Sequence, residues 1–239
     1  MKKSAALISS LMMLTSPNAN ADAIGVYIGA QVWDMAAEGS YDDSKVQQEF
    51  NFDDDTQNRF YIEFEHPLPF IPNIKIAHSE LMTTGVEINP AADSLQGSSE
   101  LDLSYTDYTL YYELFDNGLF SFDFGLTGKD FEGEFITLDR SGLDVDNVDE
   151  IIPMLYLSAE VELPLTGLGV FAEGNILALD DHTAADYQAG ISYALIDNMI
   201  VDVDIQLGYR WAQVELEDLE GIYSDLDFDG AFAGVEVHF

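Results

Sequence analysis

Apolar and polar residues alternate with a period of two along most of this chain, which is the spacing of strands and not of helices. Over 24–33, Ile24, Val26, Ile28, Ala30 and Val32 are set against Gly25, Tyr27, Gly29, Gln31 and Trp33. The same alternation predicts strands at 59–65, 73–81, a stretch ending at 108–114, 120–127, 155–163, 168–179, 187–195, 201–211 and 231–239. The last of these carries Ala231, Ala233, Val235, Val237 and Phe239 on one face up to the final residue. A chain ending in mid-strand must pair that strand on both sides or leave an adhesive edge, and closure into a barrel satisfies the requirement.

Ten strands follow, joined alternately by acidic stretches (34–57, 83–100, 132–150, 180–185, 214–227) and short turns (67–72, 116–118, 164–167, 197–198). Each strand has about the 9–11 residues that cross a bilayer at a tilt. The apolar faces, with Phe120, Phe122 and Phe124 as the extreme, would overfill a small barrel interior. The opposite faces hold Arg59, Glu63, Glu65, Asp123, Glu160, Glu162, Glu173, Asp202, Asp204, Arg210 and Glu236, a set suited to a wet or hydrogen-bonded lumen. The expectation is an all-β, transmembrane, antiparallel up-and-down barrel of ten strands, with eight as the alternative. Tyr209 and Trp211 fit an outer aromatic girdle, whereas Trp33 falls on the opposite parity.

The first residues change the compartment. Lys2 and Lys3, an apolar run over 5–14 and the small residues Ala19 and Ala21 read as a signal peptide over 1–21, leaving a single domain over 22–239. The net charge of −37 excludes nucleic acid as a partner, while 47% hydrophobic residues exclude a disordered acidic chain. There is no cysteine, so disulfides, thiolate metal sites and cysteine nucleophiles drop out.

The leader, the alternating strands and the terminal Val235, Val237 and Phe239 resemble a Gram-negative outer-membrane β-barrel protein. The resemblance implies export through the periplasm to the outer membrane, with that terminal triplet read by the barrel-insertion machinery. The stretches 25–33, 65–73 and 111–117 resemble, more narrowly, a family of predicted outer-membrane proteins that accompanies GlyGly-CTERM and rhombosortase systems. That family lends no catalytic residues.

Candidate chemistry is sparse. Asp225, Asp227, Asp229 and Gly230 with Glu236 satisfy the EF-hand loop pattern, but an alternating strand from Gly230 carries Glu236 about 20 Å away at ~3.3 Å per residue. A weaker loop site for a divalent cation at Asp225, Asp227 and Asp229 is the remaining metal expectation, beside the commoner reading of a solvated acidic loop. The carboxylates at 53–55 and at Asp144, Asp146 and Asp149 allow the same two readings. For hydrolysis, His182 beside Asp180 and Asp181 is the best placed histidine, and omptin-type proteases use Asp pairs with an Asp–His pair. Here Asp202 and Asp204 fall at the other end of the barrel, His78 and Ser79 point to opposite faces, His66 lies at a turn and His238 near the rim.

No catalytic residue or cofactor is therefore assigned. The expected role is structural or in surface interaction, as a monomer contacting outer-membrane lipid and, through divalent cations, lipopolysaccharide. A narrow cation-selective pore is the alternative, since inward carboxylates outnumber Arg59, Lys75 and Arg210. An omptin-like hydrolase is the second alternative.

Overall fold

The alternation pairs the chain into one closed antiparallel sheet. The computed structural model describes residues 24–42, 48–68, 70–87, 98–138, 143–179, 182–198, 200–219 and 222–239. The proposed leader over 1–21 lies outside them. The described residues form thirteen strand segments and no helix: β1 (Gly25–Asp42), β2 (Gln48–Phe52), β3 (Asp55–Glu65), β4 (Asn73–Ser79), β5 (Met82–Glu87), β6 (Ser98–Asp102), β7 (Tyr105–Asp116), β8 (Phe120–Leu138), β9 (Leu143–Leu163), β10 (Leu168–Leu179), β11 (His182–Ile196), β12 (Asp202–Leu219) and β13 (Ile222–His238).

Three pairs of segments are single barrel strands with a short break, namely β2/β3, β4/β5 and β6/β7. Backbone bonds carry the ladder across the breaks, with Asp53 N donating to Thr84 O, Glu80 N to Asn58 O and Leu103 N to Leu81 O. Ten strands result, each antiparallel to its neighbours, and the ring closes where β1 pairs with β13 from Tyr27↔His238 to Asp42↔Tyr223. At the seam Phe239 N donates to Val26 O and Val26 N to Phe239 O.

One end of the barrel, the mouth, carries Ile24, Phe239 and the tight turns; the other, the crown, carries the long hairpins. From the mouth upward the outer face is apolar: Ile28, Val32, Phe60, Ile62, Leu126, Ile191, Leu207 and Val235 are all exposed. No water-soluble sheet leaves such a band uncovered, so this face meets lipid. The residues from Ile24 to Val32 rise ~26 Å along the strand and ~20 Å along the membrane normal at a tilt near 40°, enough for a thin bilayer. At its upper edge Tyr187 stacks on Trp211 with ring centroids 5.2 Å apart, and Tyr209 packs against Trp211 at a tilt with centroids 4.7 Å apart.

Above this girdle the polarity inverts. On β1 the apolar residues change face, from outward Ile28 and Val32 to inward Trp33, Met35 and Ala37, which are buried. On β13 Leu226, Phe228 and Phe232 point inward, while Asp225 and Asp227 stand exposed outside. Where water replaces lipid, the polar side must face out and the apolar side must pack inward. The acidic stretches 34–57, 132–150 and 214–227, expected to be loops, are consequently mostly strand, so β8 and β9 reach 19 and 21 residues.

Two inward glycines make room for rings. A Cβ on Gly29 would lie 2.0 Å from Tyr61 Cζ, and one on Gly208 would lie 2.6 Å from Phe232 Cε1.

Candidate functional site

The lumen is the largest collection of polar chemistry in the molecule, and it is built in tiers. Because side chains alternate, each strand sends one inward residue to each tier. At the mouth these are mainly carboxylates: Glu65, Asp123, Glu160, Glu162, Asp202, Asp204 and Glu236. Several are held by neutral donors. Tyr61 Oη donates to Glu236 at 2.6 Å, Tyr111 Oη to Glu65 at 2.9 Å and also to Glu63, and Ser192 Oγ to Glu160 at 3.4 Å. His238 stacks on Tyr27 with ring centroids 4.0 Å apart and lies 3.7 Å from Asp202.

The next tier is ionic. Glu173 accepts from Arg59 at 2.8 Å, from Lys75 at 2.6 Å and from Gln188 at 3.0 Å. Lys75 also meets Glu63 at 3.2 Å. Slightly higher, Lys129 lies between Asp107 at 2.9 Å and Asp186 at 3.0 Å. Arg210 grips Asp186 with both arms, Nε to Oδ1 and Nη2 to Oδ2, each at 3.0 Å. Tyr105 Oη bonds to both Asp186 and Arg210.

Eight charged residues from seven segments are thereby tied across the barrel axis. Arg59, Lys75, Lys129 and Arg210 are buried, and an unpaired buried ion costs several kcal/mol, so charge neutrality in this tier is a condition of folding. The space left among Arg59, Asp107, Glu173 and Gln188 is about 10 Å³, room for one water. Arg59 Nε and Gln188 Oε1, both buried without a protein partner, are suited to bind it.

The third tier, under the crown, is apolar. Trp33, Met35, Leu81, Leu101, Leu103, Phe131, Leu226, Phe228 and Phe232 form one buried cluster. It rests on the ionic tier through cation–π contacts, with Arg210 4.8 Å from the Trp33 ring and Lys129 3.2 Å from the Tyr105 ring. The lumen is thus filled twice in series, by ion pairs and then by hydrocarbon.

All the lumen charges named from sequence, Arg59, Glu63, Glu65, Asp123, Glu160, Glu162, Glu173, Asp202, Asp204, Arg210 and Glu236, lie on inward parity, with Glu162 exposed at the mouth rim. Arg59, Glu63, Arg210 and Glu173 belong to the ionic tier. Three of its members, Asp107, Lys129 and Asp186, lie just beyond the strand ends read from sequence.

Asp225, Asp227 and Asp229 stand on the outer face of β13, in a strand and not a loop, and Asp229 bonds to Tyr209 Oη. Among the described residues no three acidic or histidine side chains converge as a metal site. Asp180 and Asp181 lie outside the described residues. His182 starts β11 at the crown, and Asp202 and Asp204 start β12 at the mouth. His78 is exposed and contacts Thr106, whereas Ser79 is buried and accepts from Arg210. Among the described residues, the start of β11 that carries His182 and the start of β12 that carries Asp202 and Asp204 lie at opposite ends of the barrel.

No family model and no curated protein matches this chain. Among solved structures it is similar to the outer membrane protease OmpT from Escherichia coli, with 10% identity, 92% of this chain and 97% of that one covered, and a TM-score of 0.48. It is also similar to the translocator domain of autotransporter NalP from Neisseria meningitidis (9% identity, 92% and 89% covered, TM-score 0.47) and to the outer membrane protein OprG from Pseudomonas aeruginosa (11%, 92% and 97%, 0.33).

Proposed function

We propose that this protein is an outer-membrane barrel that works at its crown and through its place in the envelope, with a lumen that passes no solute. The mouth then faces the periplasm and the crown the exterior. The observation that carries this reading is the doubly filled lumen, in which Arg59, Lys75, Lys129 and Arg210 are each held by a carboxylate and the aromatic cluster lies above. Mouth carboxylates such as Glu162 and Asp204 would select cations, but the space beside the buried ion pairs behind them is about 10 Å³, which supports a closed lumen.

The partners proposed are outer-membrane lipid, lipopolysaccharide phosphates bridged by divalent cations to the acidic outer face, and the insertion machinery acting on Val235, Val237 and Phe239. A monomer is proposed, and closure of the sheet within one chain supports it. Planar-bilayer recording of the purified protein tests the reading. The expected result is no steady conductance above the bare bilayer at any salt concentration; a stable, salt-dependent conductance would overturn it in favour of the cation-selective pore.

A further inference from the structure

The crown is uneven. β8 and β9 pair up to Leu138↔Leu143, whereas the β10–β11 hairpin stops at Leu179↔His182. Pairing of β9 with β10 ends at Leu155↔Ile176. Two residues beyond stands Pro153, which has no amide hydrogen to extend the ladder. From 147 to 153 the only strand partner of β9 among the described residues is β8, in the register Asn147↔Glu134 to Pro153↔Gly128. Across the gap, β12 pairs with β11 only as far as Glu215↔Thr183.

Among the described residues the β9 edge therefore borders a gap in the crown wall above the end of the β10–β11 pairing, about 14 Å across at ~4.8 Å per strand spacing. Side-chain exposure agrees. Glu150 shares the inward face with Ile152 and Met154 yet is exposed, although its cross-strand partner Phe131 is 4% exposed. Ile151, on the outer face, is 64% exposed.

Alternate residues of such an edge direct N–H and C=O groups into the gap, a template for an added strand. Its charge selects the occupant. Asp149 and Glu150 are exposed on opposite faces of the edge, and Glu132 and Glu134 stand across from it on β8. A second copy of this chain would set like charges against one another, which disfavours self-pairing.

We propose that the edge of β9 from 147 to 152 captures an extended, basic polypeptide segment of a partner protein by strand addition. The segment's main chain pairs with the edge, and its alternating cationic side chains reach Glu150 on one face and Asp149 on the other. This names the partner class for a barrel that acts at its crown and rests on that reading. Conductance and peptide capture are separate measurements, so a closed barrel that captures nothing refutes only the edge.

The test uses the full-length protein folded in detergent micelles and a labelled peptide of alternating Lys and Thr, with its fully backbone-N-methylated counterpart. Saturable binding of the first and roughly tenfold or greater weakening of the second is expected, because N-methylation keeps the charge and removes every backbone donor. The double substitution Asp149→Lys with Glu150→Lys should weaken binding to a similar degree while leaving heat-modifiable mobility intact. If that variant does not fold, the comparison of the two peptides on the wild type decides alone. Equal binding of both peptides, absence of saturable binding, or a dimer that the peptide displaces would each overturn the proposal.

Discussion

Glu173 is the residue on which the ionic tier turns, because it is the shared acceptor of Arg59 and Lys75. The two cations are drawn close by that one carboxylate, and their side chains are only 8% exposed. In Glu173→Gln the charge is lost while the shape is nearly kept, leaving two buried cations with Glu63 as the one carboxylate among the described residues within ion-pair distance of either. The expected cost is about 3–5 kcal/mol, the range for removing one partner of a buried ion pair. Glu162→Gln, at the exposed rim, should stay within about 0.5 kcal/mol. Urea unfolding in lipid vesicles compares the two; equal midpoints would mean that the ionic tier does not hold the barrel together.

At the scale of elements, strand number and closure were legible because lipid enforces an unbroken period of two on the outer face. The seam is the clearest case. Val235, Val237 and Phe239 show outward parity in the sequence, and the structure joins Phe239 to Val26 by reciprocal backbone bonds. Deleting Phe239 removes both bonds and the terminal aromatic. The shortened protein is expected to lose heat-modifiable mobility and surface exposure; normal values of both would show that the seam tolerates a missing last rung.

The crown was hidden for a physical reason. Apolar residues there change face at Trp33 and again at Phe228, so a reading that follows one apolar parity runs out and leaves acidic remainder that looks like loop. Asp107, Lys129 and Asp186 sit at that crossover. Lys129 continues the inward parity of Asp123 and Thr127, and Asp107 that of Thr109 and Tyr111, so following the inward face past the last outward apolar residue would have found both. The pairings themselves had no local signature, because Lys129 and Asp186 are 57 residues apart.

For the whole molecule, the buried cations among the described residues are already matched by carboxylates, so the net charge of −37 is an excess of acidic groups beyond the ionic tier. On the crown's outer face Asp227 stands opposite Glu38 on β1, and Asp225 opposite Glu215 on β12. Like charges directly across a sheet are destabilising. Asp227 lies above the girdle, and its carboxyl is raised above the ordinary Asp value, first by partial burial and then by Asp225, Asp229, Glu38 and Glu215.

A carboxyl with a raised pKa in the folded state holds its proton more tightly there than when unfolded. Its contribution is therefore favourable at low pH and is lost as pH rises through the folded value. Divalent cations shared with lipopolysaccharide phosphates would relieve the same repulsion. Chelating Mg²⁺ and Ca²⁺ is accordingly expected to lower the melting temperature in lipopolysaccharide-containing membranes at alkaline pH, and to do so much less at acidic pH, where Asp227 holds its proton. An equal drop in membranes of phospholipid alone would assign the cations to the protein's own acidic ladder. No drop in either would remove the bridge to lipopolysaccharide and leave the crown's charge as a solvated coat.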